Sequence, residues 1–329
     1  MEAKHRNQKK GKTMNPLTQF KKIRILRNIF VSLGAIFALA ITAHAQNLYV
    51  SANAPGSHKI FEFTPSGVQS TYASGLTQPR GLAFDSIGNL FAANNPEPGD
   101  RDIEIGKVLK FNLRNHVSTV GSAAKFFFAG LVIDIAGNAY VMASDQTSPT
   151  EAGTIFKFTP SGERIVFGSV PGTPPGNLEQ ASLGLAFDSA GNLYAADDGA
   201  QTIYKFAPNG YRTLFVGPNA FTPGAYPSGL TFDSGGNLFV STECFAPFFC
   251  EPGSDTILKF TPDGMESTFA TGLTTPRGMA FDSSGNLFVA EANPIPDGDI
   301  LEFAPDGSEL PVFASGFGRP EFLTFGPPR

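Results

Sequence analysis

Tryptophan is absent from this 329-residue chain, cysteine occurs twice, histidine four times, and charged residues make up only 16%. His5 and His44 fall in the first 45 residues, so the remainder holds His58 and His116 alone. A Ser-His-Asp triad has little imidazole to draw on, and no G-x-S-x-G elbow is present. Cys244 and Cys250 are too few for a zinc site of their own. No segment beyond residue 45 shows a sustained helical period, which excludes a bundle. The one apolar run, Ile29 to Ile41, is shorter than the roughly 20 residues a membrane-spanning helix needs.

That run follows Lys21, Lys22, Arg24 and Arg27 and precedes Ala43-His44-Ala45. A basic stretch, an apolar stretch and a small-x-small site predict a secretory signal peptide over 1–45, with an uncleaved anchor as the alternative. No cysteine follows the run for lipid attachment, and Met14 offers a second start that would make 1–13 an over-extension. Taking away the nine basic residues and one acidic residue of 1–45 leaves 15 basic and 28 acidic, a net charge of −13. Such a chain repels phosphate backbones, so nucleic acid is not an expected partner, and no membrane span remains after processing. The expected location is extracytoplasmic, secreted or periplasmic. There, the C-x5-C pair Cys244 and Cys250 predicts a disulfide worth about 2–3 kcal/mol.

What the chain has in abundance is one phrase. It reads GLAFDSIGNLFAA at 81–93, GLAFDSAGNLYAA at 184–196, GLTFDSGGNLFVS at 229–241 and GMAFDSSGNLFVA at 278–290, with a worn copy, GLVIDIAGNAYVM, at 130–142. A sixth copy is split: its second half, NLYVSAN, lies at 47–53, and its first half, EFLTFGPP, at 321–328. Each unit divides into strand a (GLAFD), a DSxGN turn, strand b (NLFVA), a variable loop, strand c (IFEF, VLKF, IFKF, IYKF, ILKF, ILEF), a turn such as TPDG, and strand d. Periods of 40–50 residues with four short strands predict blades. The fold class is therefore all-β: a six-bladed β-propeller over 46–329 with four antiparallel strands per blade. The closing blade is a 3+1 composite of both ends. The 32 phenylalanines are expected to fill the blade interfaces, and Asp85, Asp134, Asp188, Asp233 and Asp282 recur too regularly to be anything but turn caps.

The phrase GLAFDSAGNLYAADDGAQTIYKFAPNG (184–210), with PRGMAFDSSGNLFVAEAN (276–293), resembles the NHL-repeat and gluconolactonase-like superfamily of six-bladed propellers. The Asn-x-Arg pair usual before strand c in NHL units is missing: the matching stretches read AQTI, SDTI and DGDI. The resemblance implies a functional face where strand a begins and strand b ends. It also implies that the residue before the first Gly of each unit lies nearest the axis: Arg80, Ala129, Leu183, Ser228, Arg277 and Glu321. The blades of Arg277, Glu321 and Arg80 are consecutive, so these three converge either as a carboxylate clamp or as a bracket fastening the closing blade.

The divalent-metal set of the gluconolactonase-like enzymes, Glu with Asn and Asp, is matched here by Glu321 alone, so no metal and no cofactor are expected. His58 and His116 fall at opposite ends and do not supply the paired histidines of streptogramin lyases. The loops after strand b add Asn53, Asn94, Asn95, Asp145, Asp197, Asp198, Glu243, Glu291 and Asn293 around the mouth. They also carry Asp100, Asp102 and Glu104, a poor calcium pattern, and the aromatic loop of Phe245, Phe248 and Phe249.

The expectation is an exported, non-catalytic propeller that binds a small molecule or a protein through Arg80, Arg277, Glu321, His58, Asp197, Glu243 and Glu291. The alternative is a lactonase- or lyase-like enzyme with a non-standard site, and a structural role is the third reading.

Overall fold

A computed structural model describes residues 46–54, 57–96, 105–145, 153–171, 184–244, 254–292, 298–316 and 318–327. The leader expectation over 1–45, the Cys244–Cys250 disulfide, Leu183, Asn293, the Asp100–Glu104 pattern and the aromatic loop lie wholly or in part outside these residues.

The described chain forms six four-stranded antiparallel sheets. Strands β1 (Leu48–Ala54), β2 (Ser57–Phe63) and β3 (Gln69–Ala73) begin it. Blade 2 is β4 (Gln78–Phe84), β5 (Leu90–Asn95), β6 (Ile105–Phe111) and β7 (Val117–Ala124). Blade 3 is β8 (Phe126–Ile133), β9 (Ala139–Asp145), β10 (Gly153–Phe158) and β11 (Arg164–Val170). Blade 4 is β12 (Leu185–Phe187), β13 (Leu193–Asp197), β14 (Thr202–Phe206) and β15 (Arg212–Val216). Blade 5 is β16 (Tyr226–Phe232), β17 (Leu238–Glu243), β18 (Thr256–Phe260) and β19 (Glu266–Ala270). Blade 6 is β20 (Pro276–Phe281), β21 (Leu287–Glu291), β22 (Asp299–Phe303) and the two-residue β23 (Ala314–Ser315). Strand β24 (Pro320–Phe325) then pairs antiparallel with β1, Leu48 opposite Phe325 and Val50 opposite Leu323, and so completes blade 1. The split repeat is thus a ring closure.

Strands β4, β8, β12, β16, β20 and β24 line a central cavity of about 400 Å³. They stand so close that the glycine of the repeat is required sterically. A Cβ on Gly229 would lie 2.1 Å from Arg277 O, and one on Gly81 would lie 2.4 Å from Leu131 N.

Farther out, the second residue of strand b wedges neighbouring blades apart. Tyr49 meets Tyr72 of its own blade and Phe84 of the next, both edge-on at about 5 Å. Tyr140 with Phe167 and Phe187, Tyr194 with Phe215 and Phe232, Phe239 with Phe269 and Phe281, and Phe288 with Phe313 and Phe325 repeat the arrangement. T-shaped pairs of this kind add about 0.5–1.5 kcal/mol beyond burial. Only the wedge after blade 2 differs. The worn repeat supplies Ile133 in place of Phe, and Phe91 packs in a mixed cluster with Val120 and Ile133 at its edge. The Phe that ends strand c is at most 2% exposed in every blade (Phe63, Phe111, Phe158, Phe206, Phe260, Phe303), so each contributes about 2–3 kcal/mol by burial.

The DSxGN turns cap as expected. Asp85 Oδ1 accepts from Asn89 N at 2.8 Å while Asn89 Nδ2 donates to Asp85 Oδ2 at 2.6 Å, and Gly88 takes φ 88°. The pairs Asp134–Asn138, Asp188–Asn192 and Asp233–Asn237 repeat this, whereas Asn286 Nδ2 turns to Glu302 Oε1 at 2.8 Å.

Gly229→Ala is expected to lower the unfolding free energy by about 3 kcal/mol, because its new methyl meets backbone that cannot rotate away. Urea denaturation measures this, and a loss below about 1 kcal/mol would show that the inner strands have room to separate.

Candidate functional site

The inner strands aim their axial residues through bulges. In β4 the ladder with β5 runs to Pro79 opposite Asn94 and resumes at Leu82 opposite Ala92, which leaves Arg80 and Gly81 out of register. The same shift frees Ala129 in β8, Ser228 in β16, Arg277 in β20 and Glu321 in β24. A bulge redirects a side chain that regular pleating would send into the blade interface.

Four of these side chains and two others form one buried network. Glu321 Oε2 accepts from Arg80 Nη1 at 3.0 Å and, in a shorter contact, from Arg277 Nη1. Arg277 Nε donates to Glu243 Oε2 at 3.2 Å, and Ser228 Oγ donates to Glu243 Oε1 at 3.2 Å. Arg319 Nε lies 3.2 Å from Glu321 Oε1, within ion-pair range. Arg80 also lies over the Phe127 ring, 5.1 Å from its centroid.

The network joins blades 5, 6, 1 and 2 across the ring closure. Ser241 Oγ accepts from Gly229 N at 2.8 Å and donates to Arg277 O at 2.7 Å, and Phe322 N donates to Ser51 Oγ at 3.1 Å. These bonds hold the backbone at Arg277 and beside Glu321.

Arg80 is 1% exposed, Arg277 2%, and Glu243 and Glu321 0%, whereas Arg319 is 19% exposed. Burial pulls Arg80 down to about 10 against the pull of Glu321. Burial raises Glu243, with Arg277 opposing it. In Glu321 burial acts upward, but Arg277, Arg80 and Arg319 together hold the carboxyl below its ordinary value. These buried charges offset one another in pairs, while Glu321 Oε1 accepts no hydrogen bond among the described residues.

Of the residues expected from sequence, Arg80, Arg277, Glu321 and Glu243 are therefore brought together. His58, Asp197 and Glu291 sit elsewhere. His58 lies in strand β2 opposite Asn53, with Nδ1 2.8 Å from Asn53 Oδ1. Glu291 accepts a short bond from Thr274 N, and burial raises its pKa. Asp197 ends β13 in blade 4, across the ring from blade 1. Its Oδ1 accepts from Ala200 N at 3.1 Å, and its Oδ2 has no partner among the described residues. Burial pushes Asp197 up to about 7 and its neighbour Asp198 up to about 6.

In the repeat register Asp197 matches Asn94 and Glu291. Asn94 accepts from Thr77 N at 3.2 Å, so this rung caps the chain entering the blade's own inner strand. Asn95, expected as a mouth acceptor, instead clamps blade 3: Phe128 N donates to its Oδ1 at 2.6 Å, and its Nδ2 donates to Phe128 O at 2.8 Å.

Sequence reasoning missed Arg319. The signal was its position in Gly318-Arg319-Pro320-Glu321, two residues from an axial carboxylate.

The axial residues do not fit a divalent cation. Glu321 is ringed by three guanidinium groups, and among the described residues no three His, Cys, Asp or Glu side chains converge.

No family model matches the sequence, and no curated protein matches it. Solved structures match its fold. A protein of unknown function from Bacteroides caccae aligns at TM-score 0.56 and 12% identity, over 85% of this chain and 98% of that one. A putative gluconolactonase aligns at TM-score 0.51 and 16% identity, over 74% and 85%. A gluconolactonase from Xanthomonas campestris aligns at TM-score 0.50 and 17% identity, over 75% and 84%. The chain is thus similar in fold to six-bladed propellers that include lactonases and proteins without an assigned function.

Arg277→Ala leaves buried Glu243 without its counter-charge while Glu321 keeps Arg80 and Arg319, and is expected to cost about 3–5 kcal/mol, whereas Arg319→Ala, at the wet end, should cost under about 1 kcal/mol. Equal losses in urea melts would refute the division between buried bracket and solvent-reached member. A pH series tests Asp197 separately. Its folded pKa of about 7 lies above the unfolded value of about 3.9, so the folded chain binds more protons between those limits. Stability should fall as pH rises from 5 to 7 and level off above, and Asp197→Asn should flatten that slope. An unchanged slope in the variant would contradict the assignment.

Proposed function

We propose that this propeller is a non-catalytic binding protein that acts outside the cytoplasm and receives a small molecule or a protein at the face where strands a begin. The observation that carries the reading is the axial chemistry. Of the metal-holding Glu, Asn and Asp that the resemblance implies, only Glu321 is matched, and the guanidinium groups of Arg80 and Arg277 are locked onto it and onto Glu243. That arrangement repels a cation and occupies the axial carboxylate Glu321 together with Glu243. It leaves a rigid platform, and rigidity lowers the entropic cost of binding. The leader pattern of 1–45 and the paired cysteines support export.

A lactone-hydrolysis assay with and without added calcium, zinc or manganese, run beside a thermal-shift panel of lactones, peptides and small acids, tests the reading. The expected outcome is a ligand-dependent rise in melting temperature with no turnover under any metal condition. Metal-dependent hydrolysis that chelation abolishes would overturn it. Intact mass of the exported protein should begin at Gln46 and be two hydrogens lighter than the dithiol form. A retained leader would remove the extracytoplasmic half of the proposal.

A further inference from the structure

We infer that the guanidinium of Arg319 is the ligand contact of this face and that the ligand it takes is a small organic monocarboxylate. This deepens the binding reading above and rests on it.

The inference starts from charge. The described network holds Arg80, Arg277 and Arg319 against Glu243 and Glu321, one positive charge in surplus. The four most buried members balance one another, so the surplus falls to Arg319, the network arginine that solvent reaches at 19% exposure. Its contact in the network is Nε beside Glu321 Oε1 at 3.2 Å, and its guanidinium donates no hydrogen bond to protein among the described residues. Burial strips part of the water from this guanidinium and lowers its pKa, so a further acceptor would stabilise its charge.

The backbone that carries it is held in place. Arg319 O accepts from Asn53 N at 2.8 Å, and Pro320 follows at the start of β24. Asn53 is in turn paired with His58 of β2, and their side chains bond each other.

A planar carboxylate matches the guanidinium fork. It also matches the surplus in magnitude. A dianion such as phosphate would set its second charge against Glu321 and Glu243 at low dielectric, inside a chain whose net charge beyond residue 45 is −13.

The test titrates the purified protein with sodium acetate, benzoate, succinate, inorganic phosphate and chloride at one ionic strength. Thermal shift and calorimetry are read for the wild type, Arg319→Gln and Arg319→Lys. Acetate and benzoate should raise the melting temperature with dose, and the two dianions should bind more weakly. Arg319→Gln should lose about tenfold or more in affinity while keeping its unliganded melting temperature within a few degrees. Should Arg319→Gln fail to fold, Arg319→Lys carries the test: it keeps the charge, removes the fork, and should bind less tightly than wild type. No carboxylate response above chloride, or equal affinity in a folded variant, overturns the inference. A neutral lactone or peptide that binds without any carboxylate response would sink this inference and leave the binding reading standing, whereas hydrolysis would sink the reading itself.

Discussion

The ladder between β24 and β1 is the constraint on which the rest of the propeller depends. Leu48 to Ser51 pair with Phe325 to Phe322, and this pairing converts a row of blades into a ring. A ring brings Glu321 from the far end of the chain between Arg277 and Arg80. Without the ladder, two arginines at 2% exposure or less would lack Glu321 as their shared counter-charge. Closure and hub therefore stand or fall together: the backbone bonds set the register, and the register sets the ion pairs.

Much of this was legible in the sequence, for specific reasons. The repeated glycine before Leu or Met marks inner strands whose backbones nearly touch, as Gly81 and Gly229 show. The Asp and Asn of DSxGN marked turns, and the aromatic of NLYA or NLFV marked the wedge residue, because every blade solves the same packing problem. The convergence of Arg80, Arg277 and Glu321 followed from the axial position that the resemblance implies, together with the count of blades.

What the sequence could not reveal is how a bulge and a neighbouring strand assign partners. Glu243 reads as a loop acceptor but serves Arg277, because β17 delivers it beside the start of β20. Asn95 reads the same way yet bonds the backbone of Phe128. Arg319 lies outside the repeat phrase, so periodicity gave it no weight. Asp197 looked like a rim acid, and its complete burial depends on tertiary packing that composition does not encode.

The order of the elements along the chain has a temporal consequence. Strand β24 is the last piece of the propeller to leave the ribosome, and it carries the carboxylate that both hub arginines share. A nascent or prematurely ended chain keeps five complete blades, an open edge at β1 and an unneutralised centre. Loss of β24 therefore removes the closing strand and the shared counter-charge in one step.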